Sequence, residues 1–346
     1  MKVLITGANG FLGRHVVDQF LKRGHAVRAM VRPAASVDPL AWPAGVEVFR
    51  ADLRASRDLE SACEGVDVLV HLAAAVKGGE DAQFAASVVG TERLLAAMAR
   101  TSTRHLVLAS SFSVYDWGAI RGELTEESPV EHGPGLYERD GYAVAKVWQE
   151  RVARRMAGEH GWDLTVLRPG FIWGRGNEYL AGLGQKVGPV HLVFGGSTRL
   201  PLTHVENCAD CFAEATVNPK AIGQTFNVVD DSGVPVKDYL RDYLKGTKAR
   251  GRGVPIPYPL AILGVRAAQW TSRRLFRGKG KLPSILMPAR FEARFKPLRF
   301  DNRKLREVLG WSPPLDPAER LRRTYGPAAP AAETARPSLA LEPAEA

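Results

Sequence analysis

The first thirteen residues, MKVLITGANGFLG, constrain the fold more than any other stretch. Val3, Leu4 and Ile5 form a short apolar run of the kind buried on both faces of a parallel sheet. Gly7, Gly10 and Gly13 follow at G-x-x-G-x-x-G spacing, and then Val16, Val17, Phe20 and Leu21 recur with helical periodicity. A strand, a glycine turn and a helix in that order give each glycine a physical role. Gly7 permits a tight turn, Gly10 lets the backbone approach a pyrophosphate, and Gly13 lets the helix lie close to the strand. The free N–H groups and positive dipole end of the helix then face phosphate. The stretch predicts a dinucleotide site.

The pattern continues. His25–Arg32 reads as a second strand, Val46–Leu53 as a third and Val66–Ala75 as a fourth, with a short helix in SRDLESACEG between the last two. A helix over Ser87–Arg100, a fifth strand over His105–Ser111, a long helix over Ala143–Ala157 and a sixth strand over Asp163–Gly170 follow. Strands alternating with helices imply parallel βαβ units with right-handed crossovers. The expected fold is therefore α/β: a doubly wound parallel sheet, the Rossmann fold, with its ligand crevice at the carboxyl ends of the strands. Past Gly170 the pattern loosens. PLTHVENCADCFAEA reads as a strand running into a helix, GQTFNVVD as a strand, Gly251–Pro259 as a turn region and Pro259–Phe276 as an amphipathic helix. The expected organisation is a dinucleotide-binding domain over 1–173, with a returning strand near 224–230. A smaller substrate domain would occupy most of 174–325, over the crevice, and an Ala/Pro-rich 326–346 reads as a disordered tail.

Composition narrows the class. No apolar run approaches the roughly 18 to 20 residues of a membrane span. Cys63, Cys208 and Cys211 are too few and too scattered for a disulfide framework, so a cytoplasmic protein is expected. The C-x-x-C of Cys208 and Cys211 lacks a second pair for zinc and reads as a buried helix face, so no metal is expected. Charge is uneven: Lys245–Arg306 holds seventeen Lys and Arg against two acids, a surplus of fifteen in a chain whose total is +10. Such a field suits an anion, whether a nucleotide-linked substrate, an acidic membrane surface or nucleic acid, and it equally describes a solvated basic face. Little aromatic interleaving of the kind that stacks bases accompanies it, so nucleic acid is not expected.

The chemistry converges on the crevice. Tyr142 and Lys146 are four residues apart and share a helix face. Ser111 and Ser113 lie just past the fifth strand. A Tyr can give a proton to, or take one from, an alcohol/ketone oxygen while a nicotinamide exchanges hydride, and a serine hydroxyl can fix that oxygen. A free Tyr, with pKa about 10, is a poor base at neutral pH, and burial pushes it higher. A nearby Lys ammonium and an oxidised nicotinamide are expected to overcome this. His71, at a strand end, reads as a satisfied core histidine. Arg199 is a candidate for a substrate phosphate, or a surface arginine.

Together these motifs resemble the extended short-chain dehydrogenase/reductase family, also called the NAD-dependent epimerase/dehydratase family. The resemblance covers roughly residues 1–325. It rests on TGANGFLG (Thr6–Gly13), ADL (Ala51–Leu53), HLAA (His71–Ala74), SSFSVY (Ser110–Tyr115), TEESP (Thr125–Pro129), YAVAK (Tyr142–Lys146), RPGFIWGRG (Arg168–Gly176), HVENCAD (His204–Asp210) and LGWSP (Leu309–Pro313). It implies that Ser111, Tyr142 and Lys146 are catalytic, with Tyr142 the acid/base and Lys146 on the ribose hydroxyls. Asp52 and Leu53 would flank the adenine. Gly7, Gly10, Phe11, Leu12, Gly13, Leu72, Ala73, Ala74 and Pro169 would line the dinucleotide. Ser113 and Arg199 would face substrate. Two positions depart from the pattern: Ser87 stands where the family has Asn before V-x-G-T, and Asp116 where it has Gly after Val114-Tyr115.

Two functions compete, and the basic segment tilts the sequence reading towards the first. One is a sugar-nucleotide epimerase, dehydratase or reductase, with a diphosphate site built from Arg199 and the basic segment. The other is a reductase or dehydrogenase of a lipophilic carbonyl compound, similar to the 3β-hydroxysteroid dehydrogenase and dihydroflavonol reductase branch. PLAILGVRAAQW and LPSILM fit an apolar substrate or a membrane surface, so peripheral membrane contact stays open, as does a homodimer. A cofactor-sensing regulator is disfavoured because Ser111, Tyr142 and Lys146 are retained. NADP is expected over NAD: the second strand ends Met30-Val31-Arg32, with no acid to accept from a ribose 2′-OH and an arginine suited to a 2′-phosphate. Arg14, early in the first helix, could add a second cation.

Overall fold

Continuous burial along β1 (Lys2–Thr6), from Val3 to Thr6, shows how the sheet is clamped from both faces. Val3 and Ile5 face one layer, and Leu4 faces the other. The computed structural model describes residues 1–37, 42–43, 45–76, 78–231, 233–275 and 282–327. The expected tail beyond Pro327 lies outside the described residues, as do Phe276 and Arg277.

From β1 the chain runs through α1 (Phe11–Lys22), β2 (Ala26–Val31), β3 (Glu47–Arg50), α2 (Glu60–Cys63) and β4 (Val68–His71). Next come α3 (Glu80–Phe84), a π-helical turn (Ala85–Val89), α4 (Gly90–Met98), β5 (His105–Ala109), α5 (Gly141–His160) and β6 (Asp163–Pro169). The helix expected over 87–100 thus begins earlier, at Glu80, and carries a π turn where Ser87 sits. β7 (Phe171–Trp173), β8 (Gln185–Val187), β9 (Val190–Phe194), β10 (Arg199–Leu200) and β11 (Leu202–His204) lead into α6 (Val205–Val217). β12 (Thr225–Val228), β13 (Val234–Pro235), α7 (Val236–Thr247), β14 (Arg252–Ile256), α8 (Tyr258–Leu275), α9 (Pro288–Phe295) and α10 (Pro317–Tyr325) complete the chain.

The seven-stranded sheet has the order β12-β6-β5-β4-β1-β2-β3, and every pairing in it is parallel. This is the doubly wound Rossmann arrangement, with its reversal of strand order between β1 and β4. α1 and α6 cover one face, where Val16, Val17 and Phe20 meet Cys208, Cys211 and Phe212, all fully buried. Burying a side chain such as Phe20 stabilises by roughly 1.5–3 kcal/mol. α4 and α5 cover the other face through Leu94, Leu95, Met98, Ala153 and Met156. β12 returns to the sheet beside β6, where a returning strand was expected.

The later residues form small sheets, one of them ordered β14-β9-β8. The stretch read as a turn over 251–259 therefore contains a strand, paired parallel to β9 from Arg252 to Ile256. Pro255 misled the sequence reading. It is tolerated because β14 is an edge strand, where a missing N–H costs no ladder bond.

Candidate active site

The carboxyl ends of β1, β2, β4, β5 and β6 open into one cavity of about 620 Å³. Gly7, Gly10, Phe11, Leu12 and Gly13 line it from the turn between β1 and α1, and Arg32 lines it just past β2. Asp52 and Leu53 approach after β3, Leu72, Ala73 and Ala74 after β4, Ser111 after β5, Tyr142 and Lys146 from α5, and Pro169 from the end of β6. The structure thus brings together every residue expected to touch the dinucleotide or do chemistry except Arg14. Ser113 and Arg199 are not among the lining residues. The Ser113 hydroxyl is buried without a hydrogen-bond partner. Arg199 donates to the Gly233 carbonyl at 2.7 Å.

The glycine turn is forced by sterics. Gly7 has φ +67°, a left-handed conformation that suits glycine, and a Cβ at Gly13 would lie 2.1 Å from the Gly7 carbonyl oxygen. Gly10 starts α1 in extended conformation, with no side-chain cap and no acid in the first turn. The first N–H groups of a twelve-residue helix are thus left to a ligand, and no carboxylate in its first turn repels an anion. This donor set fits a dinucleotide pyrophosphate.

At the other end of the cavity Arg54, which the sequence reading passed over, joins Arg32 on the wall. Arg54 donates to the Asp52 carboxylate from its backbone N (2.8 Å) and its guanidinium (3.0 Å). These bonds, with the Arg32 charge a smaller contribution, hold the Asp52 carboxyl below the usual range. Arg14 turns elsewhere, towards the Arg175 carbonyl, and is absent from the wall.

α5 positions the reactive side chains. The Asp140 carboxylate caps it by accepting from Ala143 N at 2.9 Å, and Gly161, at φ +64°, ends it. Tyr142 hydrogen-bonds Ser111, yet burial is the larger effect and pushes the phenol up to about 12. Lys146 is 3% exposed. Its ammonium donates to Ala109 O at 2.6 Å and Gln149 Oε1 at 2.8 Å and lies 6.0 Å from the centre of the Tyr142 ring. Burial lowers its pKa to about 7, against the opposing charge of Glu150. The expected lowering of the phenol needs both the Lys146 charge and an oxidised nicotinamide, and burial sets the balance that the two must overcome. In this protein alone, desolvation dominates both groups and drives each towards its neutral form.

Two buried networks brace the site. In the first, Thr6 Oγ1 meets His71 Nδ1 at 2.7 Å, and His71 Nε2 meets Thr91 Oγ1 at 2.7 Å. Thr91 gives its proton to Ser87 O. His71 Nε2 also lies 3.1 Å from the Gln149 amide nitrogen, so both ring nitrogens are held within the network. Burial lowers the His71 pKa to about 3. The Gln149 amide nitrogen donates to Thr91 Oγ1 (2.8 Å) and Ala73 O (3.1 Å), tying this network to Lys146. Ser87 Oγ, at the asparagine position of the motif, accepts from Ala75 N at 3.0 Å.

In the second network the Glu150 carboxylate accepts from Arg168 at 2.5 Å and from the Ser110 hydroxyl at 2.7 Å. The Arg168 guanidinium lies 4.8 Å from the centre of the Tyr115 ring. Gln149 and Glu150 were missed, although their spacing from Lys146, at i+3 and i+4, puts them on its helix face. Among the described residues no group of three or more His, Cys, Asp or Glu could hold a metal.

A Rossmann sheet, a glycine turn aimed at phosphate, and a Ser–Tyr–Lys set at the strand ends define a nicotinamide-dependent enzyme of the short-chain dehydrogenase/reductase type. The sequence model described as the NAD dependent epimerase/dehydratase family matches residues 3–228, and the chain belongs to that family. It is 30% identical over 332 residues to a 3 beta-hydroxysteroid dehydrogenase/Delta 5-->4-isomerase of Mycobacterium tuberculosis, covering 90% of this chain and 86% of the relative. It is 27% identical over 322 residues to a 4-hydroxy-2-methyl-3-oxo-4-farnesyl-3,4-dihydroquinoline-1-oxide ketoreductase of Stigmatella aurantiaca, covering 90% and 92%. A UDP-glucuronic acid 4-epimerase from Bacillus cereus, solved with NAD, superimposes with a TM-score of 0.69 at 19% identity, covering 94% of this chain and 97% of that one. At that identity the likeness is one of fold.

Proposed function

We propose that this enzyme is an NADP(H)-dependent reductase or dehydrogenase of a lipophilic compound, exchanging hydride at a secondary alcohol/ketone. The carrying observation is the charge of the cavity wall. Its cations are Arg32, Arg54 and Lys146. The first two sit with Asp52, where the adenine ribose would lie, and two of the three Lys146 donors go to Ala109 O and Gln149 Oε1, leaving one for the ribose hydroxyls. Among the described residues no further cation lines the cavity to receive the diphosphate of a nucleotide-linked substrate, and Arg199 is engaged with Gly233. Ala75, Val76, Ala82, Ala86 and Ile172 supply an apolar wall instead. This favours the second of the two sequence readings over the first. The names of the matched relatives, a steroid dehydrogenase and a ketoreductase of a farnesylated compound, point the same way.

The residues would divide the work as follows. Residues 1–173 with the returning strand would hold the cofactor, and most of 174–325 would serve the substrate. The α1 N-terminus would receive the pyrophosphate, Arg32 a 2′-phosphate, and Lys146 the ribose hydroxyls. When bound, the cofactor supplies or accepts the hydride. The Ser111 hydroxyl would hold the substrate oxygen. Tyr142, neutral at physiological pH, would donate its proton to that oxygen as alkoxide character develops. A phenol held near 12 carries its proton at neutral pH and can give it to a developing alkoxide. The test is a turnover panel of lipophilic ketones and nucleotide sugars with NADPH. Reduction of lipophilic ketones alone is expected, and turnover confined to nucleotide sugars would overturn the proposal.

A further inference from the structure

One face of α8 is apolar and uncovered. Leu260, Leu263 and Trp270 are 64%, 64% and 67% exposed, and Leu275, at the end of the helix, is 69% exposed. With Gly264 and Ala267, also exposed, Leu260, Leu263 and Trp270 recur three or four residues apart and project from one side, an arc of roughly 120° at 100° per residue. The opposite side is satisfied: Ile262 and Val265 pack against Phe291 and Phe295 of α9. The uncovered arc is therefore not a core face left bare by the fold. It lies on the solvent side of a helix that is already docked.

We propose that this face of α8 seats the enzyme on an anionic lipid surface. Charge selects the occupant. α8 contains Arg266, Arg273 and Arg274 and no acid, and it lies within the segment whose cations exceed its acids by fifteen. Arg274 makes no ion pair among the described residues. Arg266 and Arg273 pair with Glu292 and Glu138 while remaining 62% and 63% exposed. Leucines and a tryptophan on one arc with arginines on it and at its edge suit the boundary between acyl chains and negatively charged headgroups, where the indole sits at headgroup depth. Nucleic acid would use the arginines but offers nothing to the leucines. A second copy of the chain would bring its own surplus of positive charge to the contact.

The face is also placed to matter. Arg273 meets Glu138 at 3.2 Å, two residues before Asp140, the cap of the helix that carries Tyr142. The docked edge thus adjoins the chain entering the reactive helix. The inference stands on α8 alone and does not require the substrate proposed above.

The test is flotation of the full-length enzyme with phosphatidylcholine vesicles containing phosphatidylserine, against phosphatidylcholine alone, at low and high salt. Binding to the anionic vesicles, weakened by salt, is expected. The double variant L263S/W270S should bind at least about tenfold more weakly, and R274E should lose the preference for anionic lipid. The folded state of both variants would be verified by circular dichroism, since the substituted side chains are exposed. No flotation of the wild type, or equal flotation of wild type and double variant, overturns the proposal. Self-association that the double variant abolishes, without vesicle binding, also overturns it and assigns the face to a second copy.

Discussion

Replacing Glu150 by Gln probes the ion pair beneath the site. The carboxylate is 6% exposed and its partner Arg168 is 5% exposed. Burial alone would raise the Glu150 pKa, but the Arg168 hydrogen bonds and the charges of Arg168 and Arg154 overcome it, and the carboxyl falls from 4.5 to about 2. Each tenfold in proton affinity is worth 1.36 kcal/mol, so the ionised carboxylate contributes about 3 kcal/mol of stability. Because the folded pKa is depressed, that contribution is present in full above the unfolded value of about 4.5. It is lost as pH falls towards 2. Glu150→Gln removes it at every pH and leaves the Arg168 guanidinium buried without its counter-charge, at a cost of about 3–5 kcal/mol near neutrality. Urea unfolding of wild type and variant between pH 7 and pH 3 reads this directly. The variant should be much less stable at pH 7, and the gap should narrow below pH 4.5. A gap that stays constant across that range would refute the assignment of the stability to the ionised carboxylate. An unchanged stability at pH 7 would refute the importance of the pair.

Two further outcomes follow from the site. Tyr142→Phe should lower kcat by orders of magnitude while NADPH binding, followed by fluorescence, survives; near-normal turnover would remove Tyr142 from the acid/base role. Arg32→Ala should weaken NADPH by about 1.5–3 kcal/mol and leave NADH nearly unchanged, so equal losses, or tighter NADH than NADPH binding in the wild type, would overturn the 2′-phosphate assignment.

The strand–glycine–helix order was legible because Gly7, with its positive φ, and Gly13, with no room for a Cβ, answer steric demands that glycine meets. The spacing of Tyr142 and Lys146 was legible because a helix has a fixed period. The networks beneath them were not. Gln149 and Glu150 read as ordinary polar positions on a long helix, and only tertiary packing shows that Glu150 meets Arg168 on β6 and that Gln149 meets Thr91 on α4. Arg54 was passed over because an arginine after a strand reads as solvated charge, and its place on the cavity wall depends on the turn that Asp52 and Ser56 form. β14 was hidden by its proline, whose tolerance depends on lying at a sheet edge.

The same limit holds at Lys146. On sequence, a lysine one helical turn from a tyrosine is a cation beside a phenol, and Coulomb attraction predicts a lowered phenol pKa. Burial changes the balance. Lys146 gives two of its three donors to Ala109 O and Gln149 Oε1, and these bonds fix the side chain in place. Gln149 is fixed in turn, because its amide nitrogen is committed to Thr91 and Ala73. Desolvation then lowers the lysine to about 7, against the opposing charge of Glu150. Burial likewise raises the Tyr142 phenol, to about 12. Glu150 lies one turn further along α5, and its charge favours the charged lysine. The carboxylate that anchors Arg168 therefore also sets how much cation stands beside the tyrosine, and stability and proton donation draw on the same buried charge.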